Sequence, residues 1–251
     1  MGKINQLIIE WPRGTGKLSS SLNKMGYSKD LLKKYIGSGW LDTLGYGAFK
    51  IKNDSVGWEG SLYALQTQKD SRIHAGGKTA LELKGYAHYI STTAARVFLF
   101  GAQRYFLPKW FREQSWYDSI YYSMTNLFDY SKVNGFSKFK SGNFEINISS
   151  PELAAMEMLY LVPAIQTFEE AMQLMEGLTT LRPALVQVLL EKCNSLKVKR
   201  LFLYMSEKNN HDWLKNLNIK KIDFGSGKRV IVKNGLFNNK YNITVPKEYE
   251  K

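Results

Sequence analysis

The segment from Leu18 to Lys52 constrains the fold of this 251-residue chain more than any other. Apolar residues at helical spacing predict a short helix that ends in a tight turn at Met25-Gly26-Tyr27, and a second helix from about Ser28 to Ser38. Two runs with alternating apolar residues around Gly45-Tyr46-Gly47 then predict a β-hairpin. This order of elements is that of a winged helix-turn-helix.

The exposed positions of this segment favour DNA binding. Ser28 is the expected N-cap of the second helix, and Lys29 and Lys33 lie four residues apart on its outer face. A recognition helix of this kind enters the major groove, where exposed polar side chains contact phosphates and base edges. The hairpin adds three candidate contacts, which are Tyr46 at its tip and Lys50 and Lys52 along one face. Winged helices also dock proteins, so a protein partner stays an alternative.

The charge of the chain also indicates an anionic partner. The net charge is +13, and residues 1–52 hold nine Lys and Arg against three Asp and Glu. Residues 53–150 and 151–251 are less densely basic, with net charges of +3 and +4. The basic charge is therefore densest in the predicted winged helix, where double-stranded DNA would be bound.

The single cysteine, Cys193, excludes an internal disulfide framework and fits a reducing cytoplasm. The N-terminal apolar run is too short for a signal peptide, and no stretch approaches the roughly 18 apolar residues of a membrane-spanning helix. We therefore expect a cytoplasmic protein that has no membrane partner.

The charge balance changes after Asn53-Asp54-Ser55, which predicts two domains, 1–55 and 56–251, with a further boundary near 91–96. The fold class is predicted to be α+β, with the winged helix followed by a larger mixed α/β domain that has a helical second half. The predicted elements of that domain are a helix over 58–68; strands over 97–100, 120–124 and 144–148; helices over 151–162, 167–176, 182–194 and 196–208; and a pairing of Ile231 and Val232 with Ile243 and Val245 around Gly235.

The residues that could carry chemistry predict a binding protein and not an enzyme. The histidines, His74, His88 and His211, are far apart in sequence, and together with Cys193 they give no metal-ligand spacing. We therefore expect no metal, no cofactor and no catalytic residues.

A metal-dependent nuclease is the rival from a different functional class. Asp70, Glu82 and Lys84 superficially match a nuclease set of carboxylates and a lysine. Such a set normally projects from a strand, whereas 80–84 is predicted to be helical. A second rival is a ligand-responsive repressor whose aromatic-rich middle region holds a small molecule.

A second basic stretch lies near the C-terminus, at Lys197, Lys199 and Arg200. On a helix, Lys197 and Arg200 are three residues apart and share a face. This face is either an ordinary solvated surface or a second surface for an anionic partner, whether nucleic acid or an acidic protein.

Several stretches resemble the AbiEi-type antitoxins, which are bacterial regulators of type IV toxin–antitoxin systems related to abortive phage infection. In chain order the stretches are MGYSKDLLKKYIGSGWLDTLGYGAFK, GWEGSLYALQ, HAGGKTALELKGYAHY, ISSPELAAMEML, LMEGLTTLRPALVQVLLEKCNSLKVKRLFLYMSE, IDFGSGKRVIVKNG and YNITVP. They extend over nearly the whole chain, and the region 101–140 matches least well.

The resemblance implies a function for each part of the chain. In that family the winged helix binds inverted repeats in the promoter of its own operon and represses transcription. The remaining domain counteracts a co-encoded nucleotidyltransferase-like toxin. The resemblance adds Lys24 and Lys34 to the expected DNA contacts, and we also expect a contact from Lys17. It also implies an antitoxin role for 91–251, where we assign Lys197, Lys199 and Arg200 as the antitoxin surface.

Overall fold

The winged helix occupies the N-terminal part of the computed structural model, which describes residues 2–69, 71–86 and 96–250. Its elements are α1 (Lys3–Ile9), β1 (Lys17–Leu18), α2 (Ser19–Lys24), α3 (Lys29–Gly37), β2 (Leu41–Gly45) and β3 (Ala48–Ile51). The three strands form an antiparallel sheet in the order β1-β3-β2. The helices, the turn and the hairpin that the sequence predicts for a winged helix-turn-helix are therefore present in the predicted order.

Short-range chemistry explains these elements. The Oγ of Ser28 accepts a hydrogen bond from the backbone N–H of Leu31 at 3.3 Å, which caps α3 as predicted. Gly26, in the turn before α3, has a φ of +84°, and Gly39, after α3, has a φ of +74°. Such angles cost glycine little, so both bends are set by the sequence.

The winged helix has a small core of its own and shares a second core with the rest of the chain. The small core consists of Leu7, Trp11, Leu22, Tyr27, Leu32, Leu41 and Ile51. Leu18, Leu44 and Ala48 instead pack into the main core of the protein. The back of the wing is therefore continuous with the larger part, and the division at residue 55 stays a prediction.

The larger part begins with a mixed sheet and the helices packed on it. Its elements are α4 (Trp58–Gln68), β4 (His74–Ala75), α5 (Gly77–Leu83), β5 (Val97–Ala102), α6 (Lys109–Arg112), β6 (Ile120–Thr125), β7 (Phe136–Ser141) and β8 (Phe144–Ser149). The strand order is β6-β5-β4-β8-β7. The sequence did not predict β7, which is an edge strand of the sheet. Its exposed Lys138 and Lys140 interrupt the apolar residues from which a strand is recognised.

The second half is helical, as predicted, with α7 (Pro151–Leu161), α8 (Phe168–Glu176), α9 (Pro183–Lys192) and α10 (Leu196–Lys208). Helix α7 is buried along almost its whole length and packs against α5 and α10. Together with the sheet, these helices make the fold class α+β.

The predicted pairing of Ile231 and Val232 with the segment Ile243–Val245 is present, since both N–H groups donate to the backbone oxygen of Thr244. The two segments run in parallel, however, and do not form a hairpin around Gly235. Strand β9 (Arg229–Val230) pairs in parallel with β11 (Ile243–Val245), and β10 (Leu236–Asn238) pairs with β11 in antiparallel fashion. The turn lies between β10 and β11, where the Oδ1 of Asn238 accepts a hydrogen bond from the N–H of Tyr241 at 2.8 Å. Asparagine chemistry thus sets this turn instead of the glycine.

Within the described residues, none of the helices combines the length and the apolar character that crossing a membrane requires.

Candidate nucleic-acid interface

Helix α3 and the hairpin of β2 and β3 enclose an open groove of about 700 Å³. Its apolar floor is formed by Leu32, Ile36 and Phe49. Lys29 and Lys33 line it from the helix, and Tyr46 lines it from the hairpin tip. The structure therefore brings the predicted contacts of the helix and of the wing tip to one concave surface.

Lys29 and Lys33 are exposed, and among the described residues neither forms an ion pair with a carboxylate. Their positive charges are thus available to an anion in the groove. Lys24 and Lys34 are also exposed but do not line the groove. Ser28 uses its oxygen as the helix cap, which leaves its hydroxyl hydrogen free to donate to a phosphate.

Tyr46 is 92% exposed and sits between Gly45 and Gly47, whose φ angles are +134° and +81°. The two glycines allow the tight turn that projects the ring away from the protein. An exposed aromatic side chain at a wing tip is suited to a groove or to a base face.

The two wing lysines are held by the protein itself. The Nζ of Lys50 donates to the backbone oxygen of Asp54 at 2.8 Å, and the Nζ of Lys52 lies 2.9 Å from Oδ1 of Asp42. The hydrogen bond from Lys52 also lowers the pKa of Asp42 below its usual value. A DNA contact from either lysine would therefore exchange an existing partner for a phosphate.

Lys17 is half-buried, and its Nζ lies 5.5 Å from the centre of the Trp11 ring. Burial lowers the pKa of Lys17. This lysine therefore packs along the winged-helix core.

Sequence reasoning missed two polar residues of the groove, Ser19 and Thr43. Thr43 faces Phe49 across the β2–β3 ladder. The alternation of a strand places both side chains on the groove face, a signal that could have identified Thr43.

The predicted antitoxin residues Lys197, Lys199 and Arg200 do not form one exposed surface, because two of the three are buried. Lys199 is 5% exposed and Arg200 is 1% exposed. The Nζ of Lys199 donates to the backbone oxygen of Asp223 at 3.0 Å. The guanidinium of Arg200 donates to the backbone oxygens of Phe224, Gly225, Gly227 and Asn242 at 2.6 to 3.2 Å.

Lys197 is only partly buried, but it too has partners in the protein. Its Nζ donates to the backbone oxygens of Tyr160 and Val162 at 2.7 and 2.5 Å. Burial lowers its pKa to about 8. The three basic residues therefore hold α10 against the C-terminal end of α7 and against the loops that contain Asp223 to Gly227 and Asn242. They do not form one exposed face.

Two of the three residues of the alternative nuclease set, Glu82 and Lys84, contact other groups of the protein. The third, Asp70, lies outside the described residues. Glu82 is in helix α5, 3.7 Å from Nζ of Lys78, and the Nζ of Lys84 donates to the backbone oxygen of Lys138. Within the described ranges no group of three or more His, Cys, Asp and Glu side chains could hold a metal.

Each described histidine has structural partners. His74 and His211 are buried and lie within hydrogen-bond distance of protein oxygens. His88 lies outside the described residues.

In the aromatic middle region, Trp110 and Phe111 pack into the main core.

Comparison with known proteins identifies the family. Residues 94–246 match a family model described as "Transcriptional regulator, AbiEi antitoxin, Type IV TA system", and residues 1–92 match the model of its N-terminal domain. A search of curated proteins finds no match. The fold is similar to that of the crystal structure of the Rv2827c protein from Mycobacterium tuberculosis, with a TM-score of 0.60 and 12% identity over 96% of this chain and 88% of that one. The family models together span nearly the whole chain, so this protein belongs to the AbiEi family of transcriptional regulators, the antitoxins of type IV toxin–antitoxin systems.

Proposed function

We propose that this protein binds inverted repeats of double-stranded DNA in its own promoter through the groove between α3 and the wing, and thereby represses transcription. The observation that carries this proposal is the pair of exposed cations Lys29 and Lys33 on the groove wall, neither of which has a carboxylate partner among the described residues. Tyr46 completes the interface at the wing tip, while Lys24 and Lys34 contact phosphates beside the groove.

The experiment is a DNA-binding titration of the full chain with Lys29 and Lys33 both replaced by alanine. The probe is a duplex of the region upstream of the protein's own reading frame, with a duplex of random sequence for comparison. Each lost phosphate contact makes the negative slope of log K against log salt shallower by about 0.9. For the two lysines together we therefore expect a slope that is shallower by about two, and binding that is at least about tenfold weaker. Replacing the exposed Lys132 and Lys215 supplies a control with the same change in charge. If the wild-type protein binds its upstream DNA no better than random DNA, repression through this groove is excluded.

The larger domain has the antitoxin role in this proposal, and it counteracts a co-encoded nucleotidyltransferase-like toxin. It does so as a binding protein and not as an enzyme. The variant with Lys29 and Lys33 replaced should therefore lose repression and still protect cells that express the toxin. If this variant folds normally but loses both repression and toxin protection, the hypothesis that the two functions reside in separate domains is wrong.

A further inference from the structure

Strand β6 forms one edge of the five-stranded sheet, and its outer side has none of the usual protection of an edge. The strand pairs with β5, and within the described residues its backbone forms no hydrogen bond to the backbone of any other segment. Its sequence, IYYSMT, contains no charged residue and no proline. Charged residues and prolines commonly block free edges, because the unpaired N–H and C=O groups of an edge bind other chains.

The opposite edge of the same sheet shows this protection. There β7 has Lys138 and Lys140, and both side chains are exposed. A strand that approached β7 would remove water from two ammonium groups, whereas β6 presents uncharged side chains such as Met124, which is 42% exposed. The contrast indicates that β6, and not β7, is suited to accept a further strand.

A groove of about 560 Å³ lies beside β6. One wall is formed by four consecutive residues of the strand, Tyr121 to Met124, and the other by the segment 160–165 at the end of α7 and after it. Consecutive residues of a strand point to opposite faces of a sheet, so a groove that all four line lies against an edge of the strand. Because β5 occupies the inner edge, the outer backbone groups of β6 face this groove.

Lys197 is the only charged residue among the described residues that line the groove. Its Nζ donates to the backbone oxygens of Tyr160 and Val162 and lies 5.5 Å from the centre of the Tyr160 ring. These bonds hold the ammonium group in place and use two of its three hydrogens, which leaves one to donate to a ligand. No Asp or Glu lines the groove, so a carboxylate from outside would supply the missing negative charge.

We propose that the edge of β6 binds an extended segment of a partner protein, which adds a sixth strand to the sheet and places one acidic side chain beside Lys197. Backbone hydrogen bonds to β6 give this interaction its affinity, and the groove selects apolar side chains at alternate positions together with the Asp or Glu. A second copy of this chain fits less well, because its own β6 has no carboxylate for Lys197 and each copy has a net charge of +13. The inference is independent of DNA binding by the winged helix.

The test is a fluorescence-polarisation titration of the full chain with a short labelled peptide whose ends are blocked. The peptide alternates Val and Thr around one central Glu, and a second peptide has Gln in place of that Glu. We expect the Glu peptide to bind at least about tenfold more tightly, because a hydrogen bond between ionised groups is about twice as strong as a neutral one. Equal binding of the two peptides would exclude a role for Lys197 as the partner of a carboxylate.

Two protein variants locate this difference in the groove. Lys197→Met should remove the preference for Glu over Gln, and circular dichroism shows whether this variant is folded. Lys192→Met is the matched control, because Lys192 also donates to a backbone oxygen, that of Lys132, but does not line the groove. The control should keep the preference, and its loss in the control would contradict the proposed site.

Methylated peptides test the strand pairing separately from the charge. Two versions of the Glu peptide have N-methyl groups on alternate residues, one at the odd positions and the other at the even positions. A paired strand turns the N–H of every second residue toward its neighbour, so only one of the two versions should lose binding. If both versions bind as well as the unmodified peptide, or if the unmodified peptide does not bind at concentrations up to about 1 mM, strand addition at β6 is excluded.

Sedimentation of the wild-type chain without DNA tests whether a second copy occupies the edge instead. We expect a monomer at the protein concentrations of the titration. A dimer that dissociates in the Met124→Lys variant, which places a charge on the edge, would assign β6 to self-association and overturn the proposal. Because Met124 is exposed, this substitution should leave the fold intact, which circular dichroism checks.

Discussion

Nε2 of His74 lies 2.8 Å from Oε1 of Glu157, and the two side chains are 2% and 0% exposed. His74 is in β4 and Glu157 is in α7, so the pair joins the centre of the sheet to the central helix. The Nδ1 of His74 lies 2.8 Å from the backbone oxygen of Arg72, and Oε2 of Glu157 accepts from Ser149 and from the N–H of Gly77. Every polar atom of the pair thus has a partner inside the core.

Replacing Glu157 with alanine should destabilise the protein by about 3–5 kcal/mol, because removal of one member leaves the other buried without its partner. Urea unfolding followed by circular dichroism measures this. The double replacement of His74 and Glu157 with alanine should cost less than the sum of the two single changes, since the residues are in direct contact. Additive costs would show that the two side chains do not interact.

Replacing Gly45 with alanine should destabilise the protein by about 1–3 kcal/mol, because the new methyl group meets Trp110 and the φ of +134° disfavours a side chain. Gly47 is a matched control, since it also has a positive φ but no atom within 4 Å of an added Cβ. The difference in unfolding free energy between the two alanine variants reports the contact between α6 and the wing together with the more restrictive φ of Gly45. Equal free energies would mean that α6 does not pack tightly on the turn.

Replacing Arg200 with methionine should destabilise the protein by at least about 3 kcal/mol, because several buried carbonyl groups lose their donor. The exposed Arg229, changed in the same way, should alter the unfolding free energy by no more than about 0.5 kcal/mol. Toxin protection should then decline only as far as the folded fraction does. A stably folded Arg200 variant without protection would instead give Arg200 a direct antitoxin role.

The ion pair of Glu152 and Arg182 should make stability depend on acid pH. Burial alone would raise the pKa of Glu152, but hydrogen bonds from the guanidinium and N–H of Arg182 outweigh it and hold the pKa at about 2, below the usual 4.5. A lowered pKa in the folded state stabilises the protein above pH 4.5, and this contribution is lost as the pH falls toward 2.

Replacing Arg182 with methionine tests this directly. The difference in unfolding free energy from the wild type should be constant above about pH 5 and should narrow below pH 4.5. The pair of Lys132 and Asp129, in which both side chains are exposed, is the control, and replacing Lys132 should leave the unfolding free energy nearly unchanged because solvent screens the pair. A difference for Arg182 that is independent of pH would mean that the charge of Glu152 is not involved.

The sequence by itself determined the winged helix and the order of the helices. Ser28, Gly26 and Gly39 act on groups a few residues away, so the cap, the turn and the end of α3 follow from local chemistry. The alternation around Tyr46 likewise predicted the hairpin and the exposed position of its tip, because a period of two leaves one face outward. Lys29 and Lys33 were placed correctly on the exposed face of α3, because residues four apart share one face of a helix.

Only the tertiary structure decided that Lys199 and Arg200 of α10 are buried. Arg200 has the spacing of a surface residue, but carbonyl groups 24 to 42 positions later in the chain fold over it and bury it. The packing of Trp110 on Gly45 joins residues 65 positions apart and places α6 beside the wing. Helical periodicity reports which residues share a face but not what covers that face, because burial depends on contacts between segments that are distant in sequence.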